Sequence, residues 1–444
     1  MRRHLHRAYL RARQRQVLRI LEDLERSQWL SPDEIEALQR NRLRALLQHA
    51  AANVPFYRKA FHEAGIDPRA IEGPEVLASL PVVTKEMIRG GEDLFVSQDA
   101  AVRGTVLNQT GGSTGKPLQL HQDRDYRLHR QAVMYRGFRW CGWRIGGPLA
   151  YVWGSDIDAT AHRGLGAIRD ALFGVTWIDA FTLEQGALDA VLARIGRADP
   201  EILIGYTSTL RLLARKALGR GGGPRVRSVE TSAELLTAEA RQEIETAFST
   251  RVLDRYGCRE AGVIAHECGA RQGWHINAET VLLEIEADGG LLVTTLMNRA
   301  MPLIRYRNED LADLSGERCP CGRGLPLMSR VVGRRSDLIL SPSGRAVHGE
   351  FFTHLFYGVP GVAEFQVVQE TASDLVIRIV AEPAFSETHR RRIEAAIREH
   401  ADPGFRVRWE SVVRIPREAS GKFRFTISMI DPHESRGGRA APGP

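Results

Sequence analysis

The chain has 444 residues, of which 43% are hydrophobic and 26% charged. This composition is typical of globular proteins and excludes fibrous, low-complexity and wholly disordered classes. The formal net charge is +7, but seven arginines between residues 1 and 19 account for all of it, so the rest of the chain is formally neutral. Such a segment is more typical of the solvated face of a helix than of a nucleic-acid or lipid site, so we predict no specific nucleic-acid partner.

No window of the sequence holds the roughly 18 apolar residues that a membrane-spanning helix needs. The first residues also lack the apolar stretch of a secretory signal. We therefore expect a cytoplasmic protein without a membrane span. At roughly 100–200 residues per domain, the length predicts two or three domains.

The predicted elements change character along the chain. Residues 1–75 favour helix, because Ile35, Leu38, Leu43 and Leu46 recur at roughly helical spacing until Pro55 interrupts the pattern. From about 105 to 330, short apolar runs alternate with helical stretches, which predicts a mostly parallel α/β sheet. The clearest runs are Leu149–Val152, Ile202–Ile204 and Val252–Asp254, and the clearest helix is Ser208–Leu218.

Two later regions follow other patterns. Leu291–Thr295 and Pro302–Arg307 succeed one another without a helix, which predicts an antiparallel or barrel-like appendage. The last hundred residues have a strand–strand–helix–strand order, which is typical of a small α+β module. Its predicted elements are Val362–Gln369, Leu375–Val380, Glu387–His400 and Val407–Ile415.

Cysteine and histidine spacing raises the question of a metal. Five cysteines, an odd number in a large chain without a secretory signal, favour metal binding over disulfides. Three thiolates and one imidazole would make a tetrahedral structural zinc set if the fold brings them together, with His266 or Cys258 as substitute ligands. The alternative is core thiols and a surface histidine. The four candidate ligands are Cys268, His275, Cys319 and Cys321.

Five polar segments interrupt the pattern of strands and helices. The first, Asn108–Pro117, combines three glycines, three hydroxyl residues and Lys116, which suits phosphate binding, although a plain surface turn has the same composition. It is not a Walker A loop, because Pro117 follows the lysine where that motif needs Ser or Thr. The other segments are Asp254–Gly262, Pro302–Asp310, Arg330–Asp337 and Pro416–Arg424.

In this order the five segments resemble the adenylate-forming superfamily of acyl-CoA synthetases. Asn53–Arg58 and Leu80–Lys85 further resemble N-terminal signatures of the phenylacetate–CoA ligase family, including its branch in capsular polysaccharide clusters. The resemblance covers about residues 35–425. It implies an α/β fold with a large N-terminal adenylate-forming domain of several subdomains and a small mobile α+β C-terminal domain. The implied division is a helical lead-in at 1–75, an ATP- and acyl-binding adenylation domain at 76–334, the mobile domain at 335–432 and a disordered tail at 433–444.

The resemblance also implies roles for individual residues. Glu260 would hold Mg²⁺, Lys116 would supply charge to the phosphate loop, and Lys422 would neutralise the α-phosphate and the substrate carboxylate. The implied ATP-binding residues are Thr110, Gly111, Gly112, Ser113, Thr114 and Gly115 in the loop, Ser232, Ala233, Glu234, Tyr256 and Gly257 at the adenine, and Asp310 and Arg334 at the ribose. Ser336, where the hinge usually has an acid, and Cys258, where Ser or Thr is common, depart from the family's pattern.

The implied activity is ATP- and Mg²⁺-dependent conversion of a carboxylic acid, aromatic or otherwise hydrophobic, to an acyl-adenylate and then to a thioester with CoA. Transfer to a carrier-protein thiol or to an amine is an alternative. A non-catalytic nucleotide- or RNA-binding protein is a rival from another class, against which Glu260 and Lys422 argue. Members of the polysaccharide branch also look similar at the four zinc positions. The acyl-pocket candidates, though such residues are more often core, are Tyr135, Phe138, Trp140, Trp143 and Trp153. The sequence leaves a homodimer open.

Overall fold

The computed structural model describes residues 12, 14–109, 118–153, 164–180, 187–334, 338–343, 346–356, 359–416 and 423–430. These residues divide into two compact units, one ending at Val331 and the other beginning at Val332. The predicted phosphate loop Thr110–Lys116, the hinge positions 335–337, Lys422 and the tail 433–444 lie outside the described residues.

The first unit opens with the predicted helices. At the start of the second helix, Ser31 Oγ accepts a hydrogen bond from Glu34 N at 3.3 Å, and the Glu34 carboxylate accepts one from Ser31 N at 2.8 Å, which makes a capping box. Pro55, which interrupts the helical pattern of the sequence, is the first residue of the third helix, where its missing N–H costs nothing. The helices are α1 (Arg15–Ser27), α2 (Pro32–Asn53), α3 (Pro55–Glu63), α4 (Lys85–Gly90) and α5 (Glu92–Phe95).

An eleven-stranded mixed sheet forms the centre of this unit, with the strand order β10-β11-β12-β13-β9-β8-β7-β6-β5-β3-β4, and β1 and β2 form a separate hairpin. The remaining helices of the first unit are α6 (Arg124–Trp140), α7 (Leu165–Phe173), α8 (Leu188–Ala198), α9 (Thr207–Leu218) and α10 (Ala238–Phe248). The strands are β1 (Val106–Gln109), β2 (Gln119–Gln122), β3 (Leu149–Trp153), β4 (Val175–Asp179), β5 (Ile202–Tyr206), β6 (Ser228–Ser232), β7 (Arg251–Cys258), β8 (Gly262–Glu267), β9 (Trp274–Ile276), β10 (Val281–Ile285), β11 (Gly290–Thr295), β12 (Tyr306–Ser315) and β13 (Leu327–Arg334).

The predicted parallel α/β region is confirmed from β3 to β7, where every neighbouring pair is parallel. Of the two predicted forms of the later appendage, the antiparallel one is observed, because β10, β11 and β12 pair antiparallel and extend the same sheet. β8 turns back antiparallel against β7 and supplies the edge on which the others pair. The predicted strand at Pro302–Arg307 begins only at Tyr306, since Pro302 has no N–H to donate and Arg305 has a φ of 52°.

The two faces of the parallel region carry different helices. One face packs Leu149, Ile202 and Ile204 against α1 and α6, and the other packs Val152, Leu203 and Val229 against α8, α9 and α10. Because adjacent strand residues point to opposite faces, near-continuous apolar runs produce this doubly covered sheet. None of the helices in the described ranges combines the length and apolar character needed to cross a bilayer.

A buried ion pair fixes α6 to the sheet and to α1. Arg136 Nη1 lies 2.6 Å from Glu279 Oε1 and donates to the Leu24 carbonyl at 3.0 Å, while Nη2 donates to Asn277 Oδ1 at 2.6 Å. The side chains of Arg136 and Glu279 are 1% and 0% exposed. A charge buried this deeply depends on its partner.

The second unit has a four-stranded sheet ordered β18-β17-β16-β19, flanked by two helices. Its strands and helix match the predicted α+β order, although the strand predicted at Val407–Ile415 ends earlier and the last turn of the helix predicted at Glu387–His400 widens after Ala396. The elements are β14 (Leu338–Leu340), β15 (Ala346–His348), α11 (Gly349–Phe356), β16 (Val362–Gln369), β17 (Asp374–Ala381), α12 (Glu387–Ala396), β18 (Arg406–Ser411) and β19 (Thr426–Ser428).

Candidate active site

Two predicted site residues are in contact, Tyr256 near the carboxyl end of β7 and Asp310 in the middle of β12. The Tyr256 hydroxyl donates to Asp310 Oδ2 at 2.5 Å and accepts from Asn308 Nδ2 at 2.8 Å. Asn308 Nδ2 also lies 3.2 Å from the same carboxylate oxygen. Asp310 is thus held by two donors, which leaves its carboxylate in one orientation.

A second tyrosine holds Glu260 in a parallel way. The Tyr306 hydroxyl donates to Glu260 Oε1 at 3.3 Å, and the Tyr126 hydroxyl of α6 donates to the Glu260 carbonyl at 3.1 Å. Glu260 follows the carboxyl end of β7, the position where α/β sheets collect ligands. Tyr306 and Asn308 lie inside the polar segment Pro302–Asp310, but the sequence predicted no role for either residue. Nothing in the sequence pointed to Tyr126.

The protonation states suit these hydrogen bonds. Burial, and then the Asp310 carboxylate, raise the pKa of Tyr256 well above its usual range. Burial and Glu260 raise the pKa of Tyr306 in the same direction. Both phenols therefore remain donors at neutral pH. Burial, followed by the Glu260 charge, also raises the pKa of the Cys258 thiol, which keeps it uncharged.

The segment that follows β6 has a constrained backbone. Ala233 has a φ of 71°, in the left-handed region that disfavours side chains with a Cβ. The Glu234 carboxylate accepts from Ser208 N at 2.6 Å and from Ser208 Oγ at 3.0 Å at the start of α9. The Glu234 side chain thus anchors this segment to a helix N-terminus. Gly257 is required for close packing, since a Cβ there would lie 2.2 Å from the Gly262 carbonyl oxygen.

The four candidate zinc ligands meet in one cluster, in which three are buried and Cys321 is partly exposed. One ligand atom from each of Cys268, His275, Cys319 and Cys321 lies within 4.8 Å of the others. Cys268 Sγ is 3.6 Å from Cys319 Sγ, and Cys321 Sγ is 3.2 Å from His275 Nε2. His275 Nδ1 is 3.4 Å from the Leu325 carbonyl, which leaves Nε2 facing the sulfurs. Three sulfurs and one imidazole nitrogen fit the preferences of zinc.

The substitute ligands do not take part in this cluster. His266 Nε2 lies 2.8 Å from Glu230 Oε2, and its Nδ1 lies 2.7 Å from the Glu267 carbonyl oxygen, so both ring nitrogens are engaged elsewhere. Cys258 Sγ accepts from Ala261 N at 3.4 Å, beside Glu260. Neither His266 nor Cys258 is therefore needed as a substitute ligand.

The aromatic acyl-pocket candidates divide into three groups. Tyr135, Phe138 and Trp143 are buried in the core beneath α6, which agrees with the core alternative. Trp140 packs edge-on against His275 at 5.5 Å and so borders the zinc cluster. Trp153 is half-buried at the carboxyl end of β3, and its ring lies 4.4 Å from that of Tyr206.

Comparison with known proteins identifies the family. The chain is 27% identical over 441 residues to a phenylacetate-coenzyme A ligase of Thermus thermophilus, covering 90% of this chain and 98% of that protein. It is 30% identical over 332 residues to a phenylacetate-coenzyme A ligase of Pseudomonas putida, covering 70% of this chain and 73% of that one. The chain belongs to the phenylacetate–coenzyme A ligase family. Its enzyme class is therefore that of adenylate-forming acid–thiol ligases, as the sequence resemblance predicts.

Three further similarities bear on the C-terminal unit and on the fold of this phenylacetate–coenzyme A ligase family member. Residues 339–429 match the family model of the CapK C-terminal domain, and the chain is 23% identical over 424 residues to Protein CapK of Staphylococcus aureus, covering 90% of each. A solved 2-hydroxyisobutyryl-CoA ligase in the postadenylation state superposes with a TM-score of 0.74 at 20% identity, covering 93% of each chain. That likeness confirms the adenylate-forming fold.

Among the predicted motif residues, Tyr256 contacts Asp310, and Glu260 is contacted by Tyr306. Ser232 is the last residue of the neighbouring strand β6, and Ala233 and Glu234 follow it. Arg334 is the last residue of β13. The predicted roles of the loop Thr110–Lys116 and of Lys422 stay predictions, because those residues lie outside the described ranges.

Proposed function

We propose that this enzyme activates a carboxylic acid with ATP as an acyl-adenylate and transfers the acyl group to the thiol of CoA. The observation that carries the proposal is the pair of tyrosine–carboxylate contacts, Tyr256 with Asp310 and Tyr306 with Glu260, at the sheet edge of a phenylacetate–coenzyme A ligase family member. The Asp310 carboxylate, held by neutral donors, suits hydrogen bonds from a ribose. The Glu260 carboxylate, held in the same way, suits the binding of a cation.

We assign the roles as follows. Asp310 would accept hydrogen bonds from the ribose hydroxyls, which Arg334 would also reach. The loop Thr110–Lys116 would bind the β- and γ-phosphates, and the segment Ser232–Glu234 would line the adenine. Glu260 would hold Mg²⁺, which supplies stabilisation of phosphate charge when bound.

The first half-reaction brings two anions together, since the substrate carboxylate attacks the α-phosphate and pyrophosphate leaves. Positioning and cationic groups must therefore supply the catalysis, and no protein nucleophile is needed. We assign Lys422 to this step. In the second half-reaction the thiol attacks the acyl carbonyl and AMP leaves, so a lysine on a small mobile domain that moves about residues 334–337 would serve only the first.

We further propose that Cys268, His275, Cys319 and Cys321 hold one structural zinc ion. With four protein ligands there is no open position for substrate, which is the pattern of structural sites. The ion would tie the segment after Glu260 to the segment before β13. ATP and CoA, the substrates of the proposed reaction, are available in the cytoplasm, where we expect the enzyme to act.

A carrier-protein thiol or an amine is the second candidate for the acceptor. The acid itself we propose to be aromatic or hydrophobic, by analogy with the phenylacetate-coenzyme A ligases that the chain resembles.

A two-stage assay tests these proposals. Purified protein is first screened for pyrophosphate release, with hydroxylamine as acceptor, across a panel of carboxylic acids. The active acids are then supplied with CoA. Acid-dependent pyrophosphate release followed by acyl-CoA formation is the expected result. Release without acyl-CoA would favour the second acceptor, and no acid-dependent release would contradict the adenylation proposal.

A further inference from the structure

The chain that follows Lys422 is attached to the sheet of the second unit. β19 pairs parallel with β16, and just before β19 the Phe425 carbonyl accepts a hydrogen bond from Val367 N at 2.8 Å. Lys422 lies outside the described residues, but it precedes Phe425 by only three positions in the sequence. A connection this short ties the place of the Lys422 backbone to the way in which the following residues are held.

One buried side chain extends this attachment toward Lys422. Gln366 Nε2 donates to the Arg424 carbonyl at 2.9 Å. Arg424 precedes the residues of β19 that pair with β16, so a side chain here takes the place of the backbone ladder. Gln366 is 4% exposed, which excludes most of the water that could otherwise replace its hydrogen bond.

Gln366 is itself held from the far side of the sheet. The strand register aligns Gln366 of β16 with Arg378 of β17, and Arg378 with Glu410 of β18. Arg378 Nη1 donates to Gln366 Oε1 at 3.2 Å, and Arg378 Nε donates to Glu410 Oε2 at 3.3 Å. Only the oxygen of an amide can accept from a guanidinium, so Arg378 fixes the orientation in which the amide nitrogen faces Arg424.

The row of Gln366, Arg378 and Glu410 lies on the face of the sheet opposite the helices. The neighbours of Gln366 in β16, Phe365 and Val367, pack in the core with the helices, and adjacent residues of a strand point to opposite faces. Gln366 therefore adds nothing to that core. Burial of an amide is unfavourable unless hydrogen bonds offset it, so packing alone gives no reason for a glutamine at this position.

We propose that Gln366 is a positioning residue for the adenylation half-reaction. It holds the Arg424 carbonyl and thereby sets where the Lys422 ammonium can reach, while Arg378 keeps the Gln366 amide in the required orientation. The inference rests on the proposed function, in which Lys422 neutralises the α-phosphate and the substrate carboxylate. A displaced cation stabilises the transition state less, so loss of Gln366 slows adenylation and leaves the thiol step unaffected.

The test measures two rates in the same preparation of each variant. One is pyrophosphate exchange with ATP and an active acid, and the other is thiolysis of supplied acyl-adenylate by CoA. The ratio of the two rates does not depend on the folded fraction of a variant, so partial misfolding does not obscure the result.

Gln366→Leu removes both hydrogen bonds of the amide. We expect it to lower exchange by about 5- to 50-fold, the range for a buried carbonyl left without its donor, while thiolysis stays within about threefold of the wild type. Gln366→Glu keeps an acceptor for Arg378 but has no donor for the Arg424 carbonyl, and it should show the same selective loss. The Arg378 side chain is 35% exposed, so Arg378→Met places little of the fold at risk and should lower the ratio by about threefold.

Two further variants separate positioning from general loosening of the sheet. Gln369→Leu is the matched control, because Gln369 lies on the same strand, is 0% exposed and donates to the Leu340 carbonyl at 2.6 Å. It should leave the ratio within about twofold of the wild type. Gln366→Leu combined with Lys422→Ala should show no less exchange than Lys422→Ala alone, since no ammonium is left to position.

Several results would overturn the inference. If the Gln366 variants keep the wild-type ratio, or if Gln366→Leu lowers exchange by the same factor with and without Lys422, Gln366 does not act through Lys422 while the proposed function stands. If neither Gln366 variant folds, an unchanged ratio in Arg378→Met overturns it. If the wild type shows no acid-dependent exchange, or if Lys422→Ala leaves exchange undiminished, the proposed function fails and the inference fails with it.

Discussion

Replacing Tyr256 with phenylalanine removes one hydroxyl from the centre of the proposed nucleotide site. That hydroxyl donates to Asp310 at 2.5 Å and accepts from Asn308 at 2.8 Å. A hydrogen bond to a charged group contributes about 1.5–3 kcal/mol. Asn308 Nδ2 lies 3.2 Å from the Asp310 carboxylate and is not changed by this substitution, so the carboxylate keeps part of its fixed orientation.

We therefore expect the KM for ATP to rise by about tenfold, equivalent to about 1.4 kcal/mol, while the KM for the acid changes by less than about threefold. The assay is acid-dependent pyrophosphate exchange with each substrate varied in turn. Tyr306→Phe is the matched control, because that hydroxyl contacts Glu260 and not Asp310. It should alter the Mg²⁺ requirement instead.

A KM for ATP within about twofold of the wild type in folded Tyr256→Phe would contradict the role assigned to the Tyr256 hydroxyl. A rise of the KM values for ATP and acid by the same factor would also contradict it. Equal effects would mean that Tyr256 supports the whole sheet edge and does not act through Asp310.

Three further predictions concern metal and stability. Purified protein should contain about one zinc per chain by elemental analysis, and Cys319→Ser should lower both zinc content and melting temperature; a metal-free protein of full stability would exclude the site. Arg136→Met should lower the free energy of unfolding in urea by about 3–5 kcal/mol, and adding Glu279→Met should recover most of that loss. If Arg136→Met leaves the free energy of unfolding unchanged, the buried Glu279 charge does not depend on Arg136. Burial and then Glu267 raise the pKa of Asp254 to about 6, so the folded state holds this proton longer than the unfolded chain. Its stabilisation is present below about pH 4 and is lost as the pH rises through about 6. Asp254→Asn should therefore gain stability over the wild type at about pH 8 but not at about pH 4, and an equal difference at both values would contradict the assignment.

The parallel strands were the most predictable part of the fold. The runs around Leu149, Ile202 and Val252 are continuous and apolar because both faces of the sheet are covered by helices. The continuation of the sheet through β8 to β13 was not predictable in the same way, because local patterns specify a strand but not the strand on which it pairs. The backbone at Arg305, with its φ of 52°, also carries no sequence signal.

In the candidate site, motif order was enough to predict that Tyr256, Glu260 and Asp310 belong together, and the cysteine spacing was enough to propose the metal cluster. Tyr126 and Glu230 gave no signal, because a tyrosine on an amphipathic helix and an acid inside a strand have meaning only through partners more than thirty residues away.

The central claim is that one ATP-dependent adenylation site is served by Glu260 and by Lys422 from the C-terminal part of the chain. Lys422→Ala tests it most directly when both half-reactions are measured, pyrophosphate exchange with ATP and acid, and thiolysis of supplied acyl-adenylate by CoA. We expect pyrophosphate exchange to fall by about 100-fold or more while thiolysis stays within about threefold of the wild type. Equal loss of both half-reactions, or undiminished exchange, would contradict it.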